Sequence, residues 1–197
     1  MGEKKHPDLV QSWVPAREGD YEQFPPIPST QDKVLDAIAQ SAFSSLRTYG
    51  NCCRTVLWAI QVHLRREEPA TLRAASVLAG GICGSGKTCG TVLGGLIAIG
   101  QSLGSFDFGD LETYSDANAA AGRFVKLVTE RYGSTDCFDI QTSIMGWSCD
   151  DPSKGEEWMR AGGSEACAGV CARVARIAAG VILEAEADVQ EPSGAEV

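Results

Sequence analysis

Apolar residues recur every three or four positions through most of the chain, and no stretch shows the strict alternation of a half-buried strand. From Ser29 to Tyr49, Val34, Leu35, Ile38, Ala42, Phe43 and Leu46 follow the 3.6-residue period of one helix face. Ser29 and Asp32 open it at capping-box spacing, with Asp in place of the usual Glu. A second helix is predicted over 52–66, with Cys53, Val56, Leu57, Ile60 and Leu64 as its stripe. Pro69 suits the first turn of a short third helix over 69–79. A fourth starts near Lys87 and runs to Leu103, where Gly104 stops it. Segment 115–132 carries Phe124, Val125, Val128 and Tyr132 before Gly133, and a last helix over 164–186 has Ser164 as N-cap. Its stripe is Val170, Val174, Ile177 and Val181. Residues 134–163, with Cys137, Trp147, Cys149 and Trp158, show no period and are expected to be irregular. The predicted fold is all-α, a single-domain bundle of about five to six helices.

The two ends read differently. Residues 1–28 hold five of the eight prolines and little periodicity, so they form an irregular arm. Trp13, Tyr21 and Phe24 give that arm something to pack against its own body or a partner. The helical domain then occupies 29–187, and the acidic, core-poor stretch 188–197 is expected to be a disordered tail. Net charge is −9, and no basic patch with interleaved aromatics appears, which argues against nucleic acid as a partner. The first residues lack the apolar stretch of a secretory signal. The longest strongly apolar run, TVLGGLIAIG over 91–100, is half of the roughly 20 residues a membrane span needs. The expectation is a cytoplasmic protein with no membrane partner.

Two candidate chemistries meet at residues 81–88. GICGSGKT fits the phosphate-loop pattern G-x-x-x-x-G-K-[ST], yet Cys83 lies inside it and Cys89 follows it. A phosphate loop leaves a strand and enters a helix, whereas the upstream PATLRAASVLAGG is an Ala- and Leu-rich helix former. No apolar strand ending in a magnesium-binding Asp appears, nor the strand–helix alternation of a parallel sheet. The stretch does supply a glycine-rich turn running into a helix N-terminus with Cys89 in the first turn. There, free amides, the helix dipole and Lys87 favour a thiolate, the form that binds metal or attacks a disulfide. Eight cysteines (52, 53, 83, 89, 137, 149, 167, 171) are many for such a chain, and in a reducing compartment they point to metal or redox chemistry.

The runs NCCRTVLWAIQ and AGGICGSGKTCGTVLGGLIAIGQSLG resemble the family of redox-active proteins named for a C…CGAxxG…C…C pattern. By position, Cys52 after Asn51 is similar to the first family cysteine, and Cys89 in Cys89-Gly90-Thr91-Val92-Leu93-Gly94 to the second. Cys137 in STDCFDIQT resembles the third, and Cys167 in EACAGVCARVARIAAGVI the fourth. The likeness covers roughly 45–185 and is strongest at 51–57 and 80–100. Thr91 departs from the family's Ala, a small change, and Cys53, Cys83, Cys149 and Cys171 are additional cysteines. The resemblance implies a redox role with an iron–sulfur cluster as the expected cofactor. It implies Cys52, Cys89, Cys137 and Cys167 as ligands and a redox partner protein or oxidoreductase complex as partner. It names no substrate, and if the chain is an enzyme it is an oxidoreductase. No C-x-x-C-H is present for haem attachment.

The spacing is unlike the compact runs of a zinc ribbon or bacterial ferredoxin. The site therefore requires helix N-termini to converge, with Cys52, Cys89 and Cys167 each at a helix start and Cys137 in a loop. Cys83 is the candidate for a fifth cofactor-binding thiol, Cys53 and Cys171 for core packing, and Cys149 for an exposed loop position. His63 is too far along its helix from Cys52 to share a site, about 16 Å at 1.5 Å per residue. Two other readings stay open: a metal-free dithiol–disulfide protein exchanging Cys83 or Cys52 with Cys89, and a nucleotide binder. Completion of the site across a homodimer is also left open.

Overall fold

The computed structural model describes residues 30–190, and the arm, the Ser29 cap and residues 191–197 lie outside the described residues. Among the described residues there are eight α-helices and no strand. They are α1 (Thr30–Tyr49), α2 (Cys52–Leu64), α3 (Pro69–Ala74), α4 (Gly90–Leu103), α5 (Leu111–Tyr132), α6 (Cys137–Met145), α7 (Gly155–Arg160) and α8 (Gly163–Gln190). The fold is all-α, as the periodicity predicts.

Local chemistry sets most of these boundaries. The Asn51 side chain accepts the Arg54 amide at 3.1 Å and starts α2. Arg65, at φ 56°, ends that helix by returning its amide to the carbonyls of Gln61 and Val62. Asp110 caps α5 through the Thr113 amide, four residues earlier than the apolar stripe suggests. The first turn of α5 carries exposed Leu111 and Tyr114, so the core period begins only afterwards.

Other elements also differ from the sequence expectation. The third helix stops at Ala74 and passes into a 3₁₀ turn over Ala75–Val77. The fourth begins at Gly90, not Lys87, because the preceding residues wrap into a closed turn. Within 134–163, two short helices form where none is expected. Their apolar anchors are few: Ile140 on α6 and Trp158 on α7 are buried, the latter edge-on to Trp147 with centroids 5.2 Å apart. Tertiary contact holds them, since helices this short are marginal by propensity. Finally, α8 opens at Gly163 and continues to Gln190, so Ser164 lies inside its first turn and is not the cap.

Helix α8 is the centre of the bundle and packs against α1, α2, α4 and α5. By length and composition alone it could cross a membrane, but just over half of that stretch is buried inside the bundle. Ala168, Val174, Ala175, Ala178 and Ile182 are spent on the protein core. Ion pairs fix directions. Arg176 reaches Asp32 while Arg47 reaches Glu165, so α1 runs antiparallel to α8. Arg66 at the end of α2 meets Glu186 near the end of α8, and Gln61 bonds Gln101 at the end of α4. Helices α2, α4 and α8 are therefore parallel, and their N-termini gather at one end of the bundle. Side-by-side positive helix ends repel one another unless something negative sits among them.

Candidate functional site

The glycine-rich turn lies at that end. Gly80, Gly81, Ile82, Cys83, Gly84 and Gly86 all have φ between 53° and 77°. Two of these are not glycine, a strained choice held by a dense set of backbone bonds. Every amide from Ile82 to Lys87 donates to a carbonyl between Val77 and Ile82. None is left to cradle a phosphate, the segment upstream is a 3₁₀ turn and not a strand, and Lys87 is exposed. Equilibrium dialysis with Mg–ATP and Mg–GTP is expected to show no retention, and Lys87→Ala to leave thermal stability unchanged. Micromolar nucleotide affinity that disappears in Lys87→Ala would overturn this.

The turn instead builds a seat for cysteines. The Cys89 amide donates to the Thr135 carbonyl and the Cys137 amide to the Lys87 carbonyl, both at 2.8 Å. This two-bond bridge, with Thr88 opposite Asp136, ties the start of α4 to the start of α6. The close fit excludes side chains. A Cβ on Gly81 would fall 2.7 Å from the Cys137 Cβ, and one on Gly90 would fall 2.4 Å from the Cys52 sulfur.

Four thiols converge here. Cys52 is the first residue of α2, Cys89 is the N-cap of α4, and Cys137 is the first residue of α6. Cys137 is thus at a helix start and not in a loop. Cys167 lies one turn inside α8, beyond the first-turn position expected for it. The Thr91 hydroxyl donates to the Cys89 sulfur at 3.2 Å, and the Gln141 amide group donates to the Cys137 sulfur at 3.6 Å. The Gln141 carbonyl also accepts the Cys149 amide at 2.7 Å, which docks the 146–151 loop on the site.

Electrostatics show that the four sense one another. The neighbouring Cys137 thiol holds the Cys89 thiol well below its ordinary pKa against the opposing effect of burial. The Thr91 hydroxyl and the amides of Thr91 and Val92 act in the same direction. Those amides favour the thiolate by proximity, since neither makes a capping bond to the sulfur. Cys137 is pushed up because its proton is held against Cys89, then by burial and by the charges of Cys89, Cys52 and Cys167. Burial, then the Cys89 charge, raises Cys52 to about 11, with the Gly80 amide opposing. Burial, then the charges of Cys89 and Cys52, raises Cys167 to about 12.

The other cysteines divide. Cys83 stands apart: it is exposed and its thiol donates to the Val77 carbonyl at 3.0 Å. Cys53 and Cys171 are wholly buried in the core. Burial and neighbouring thiols raise Cys171 well above its ordinary range. Cys149 is half-buried and reaches the site only through Gln141. His63 bonds the Ser41 hydroxyl at 2.8 Å, away from the thiols. Two contributors escape sequence reading, Thr91 and Gln141. Their only signal is spacing, i+2 from Cys89 at a helix start and i+4 from Cys137 along α6.

The donor set suits a soft, polynuclear centre. Four thiols at one protected place match the ligand number and type of an iron–sulfur cluster. Among the described residues no three His, Cys, Asp or Glu side chains stand close enough to hold one metal ion. A cluster spreads its thiolates over separate metal atoms, so wider sulfur spacing fits it better than a single zinc ion.

No curated protein and no solved structure matches the chain. Residues 50–181, which include all eight cysteines and the whole of the thiol site, match the family described as "Putative redox-active protein (C_GCAxxG_C_C)". The chain belongs to that family of redox-active proteins.

Proposed function

We propose that the chain is a cytoplasmic electron-transfer protein whose centre is an iron–sulfur cluster held by Cys52, Cys89, Cys137 and Cys167. The observation that carries this reading is the convergence of four thiols from four separate segments where parallel helix N-termini meet. A bound cluster would supply reversible one-electron storage. The chain's own residues do the rest. The N-termini of α2, α4 and α6 place positive potential around the thiolates. The Gly80 amide, the Thr91 hydroxyl and the Gln141 side chain direct hydrogen bonds at individual sulfurs. Close packing of Gly81 and Gly90 against Cys137 and Cys52 leaves little room for water. Electrons pass to or from a redox partner protein or an oxidoreductase complex.

The test is iron and acid-labile sulfide per chain, with the visible spectrum, on protein purified without oxygen. Stoichiometric iron and sulfide with broad absorption supports the cluster. No iron and no colour, with reconstitution also attempted, removes it. A second reading then takes its place, a dithiol–disulfide protein, favoured by the shared proton between Cys89 and Cys137. In that reading Cys137 is the partner of Cys89, supported by the effect each thiol has on the other, while Cys83 turns to the Val77 carbonyl.

A further inference from the structure

Thr91 is the polar residue in an otherwise apolar contact, 2% exposed and in the first turn of α4. A threonine in a helix usually turns its hydroxyl back to the carbonyl three or four residues earlier. Here the residues three and four back, Thr88 and Lys87, lie before α4 begins at Gly90, outside the helix. The single hydroxyl proton of Thr91 goes instead to the Cys89 sulfur.

We propose that Thr91 raises the potential of the thiol centre through the hydrogen bond that its hydroxyl donates to the Cys89 sulfur. The proposal rests on the reading of the four thiols as the redox centre. It is independent of which of the two centres is present. Reduction increases negative charge on the sulfurs where an electron enters a cluster, and where a disulfide becomes a thiol at Cys137 and a thiolate at Cys89. A donor aimed at the sulfur favours the more negative state and so raises the potential. Thr91 is a positioning residue: it touches the sulfur and no substrate.

The experiment compares the wild type with Thr91→Val, which keeps the shape and removes the donor, and Thr91→Ser, which keeps the donor. Thr91→Ala is the second donor-free variant should the valine disturb packing. Midpoint potential is measured by anaerobic spectroelectrochemistry on iron-loaded protein. In parallel, the metal-free protein is equilibrated in glutathione buffers. There Cys89 and Cys137 lose two electrons and the one proton held between them as their sulfurs join, and one glutathione disulfide takes up those electrons, that proton and one from solvent to become two glutathiones.

The valine and alanine variants are expected to shift the redox equilibrium about tenfold toward oxidation. That is a fall of about 59 mV for a one-electron centre or about 30 mV for the two-electron couple. The serine variant is expected to match the wild type in potential and in iron content, while the donor-free variants hold iron less tightly, so their potentials are read on the iron-loaded fraction. A wild-type potential in both donor-free variants, or a fall of equal size in the serine variant, overturns the proposal. Failure of the cluster reading would appear separately, as a wild type that takes up no iron while its glutathione couple still reports on Thr91.

Discussion

Cys89→Ser is expected to lose bound iron, acid-labile sulfide and visible colour, with iron falling by well over tenfold against the wild type. Removing an outer-shell partner of a metal ligand already costs about 10- to 100-fold, and removing the ligand costs more. The fold should survive. Cys89 is the N-cap of α4, and serine is a preferred N-cap residue that can accept from the free amides of the first turn. The Thr91 hydroxyl and Cys137 thiol remain beside the new oxygen, so it is not left without partners. Stability should change by no more than about 1 kcal/mol, read from the thermal midpoint. Cys83→Ser, by contrast, should keep full iron, because Cys83 is exposed and turned to the Val77 carbonyl. A Cys89→Ser protein with the full chromophore would sink the ligand assignment. An uncoloured, unfolded one would make the residue structural.

Gly94→Ala is expected to force α2 and α4 apart and to destabilise the bundle. The new carbon would sit 2.5 Å from the Cys53 carbonyl oxygen and 3.2 Å from the Val56 Cβ. The first of these is backbone, so no side-chain rotation relieves the clash and α2 must move away from α4. Overpacking of this kind costs about 1–3 kcal/mol. In a chain of this size each kcal/mol lowers the melting temperature by roughly 2–4 °C. The displacement would also draw Cys52 away from Cys89, so iron retention should fall with stability. Gly100→Ala in the same helix is the control. A carbon there meets nothing within 4 Å, and alanine is the better helix former by about 1 kcal/mol. Equal melting temperatures for the two variants would show that the helices tolerate a wider separation.

The long elements were legible because their burial is periodic. Val34, Leu35, Ile38, Ala42 and Phe43 outline α1, and Phe124 and Val128 outline α5, without reference to any other part of the chain. The short ones were not. CFDIQTSIM contains two β-branched isoleucines, two hydroxyl residues and no strong stripe, and α6 forms because the Cys137 amide is claimed by Lys87. That bond joins positions fifty residues apart, and local propensity carries no trace of it. The same limit applies to the site. Cys52 and Cys89 announce themselves through Asn51 and the glycine turn, whereas the roles of Thr91 and Gln141 depend on where a neighbouring sulfur ends up. The helix start at Cys137 was hidden, and Cys167 lies deeper in its helix than the pattern suggests. GICGSGKT was the opposite case, a legible motif whose amides prove to be occupied.

The four converging thiols come from α2, α4, α6 and α8, so the first and last are separated by more than half of the chain. A compact C-x-x-C motif can capture metal while the ribosome is still at work. These four thiols, by contrast, gather only once α8, the helix on which the other core helices pack, has docked. Until α8 docks, three thiols wait exposed in an unfinished bundle, open to oxidation or to the wrong metal. On the proposed cluster reading, loading would follow the docking of α8 and call for a donor that recognises a nearly complete fold.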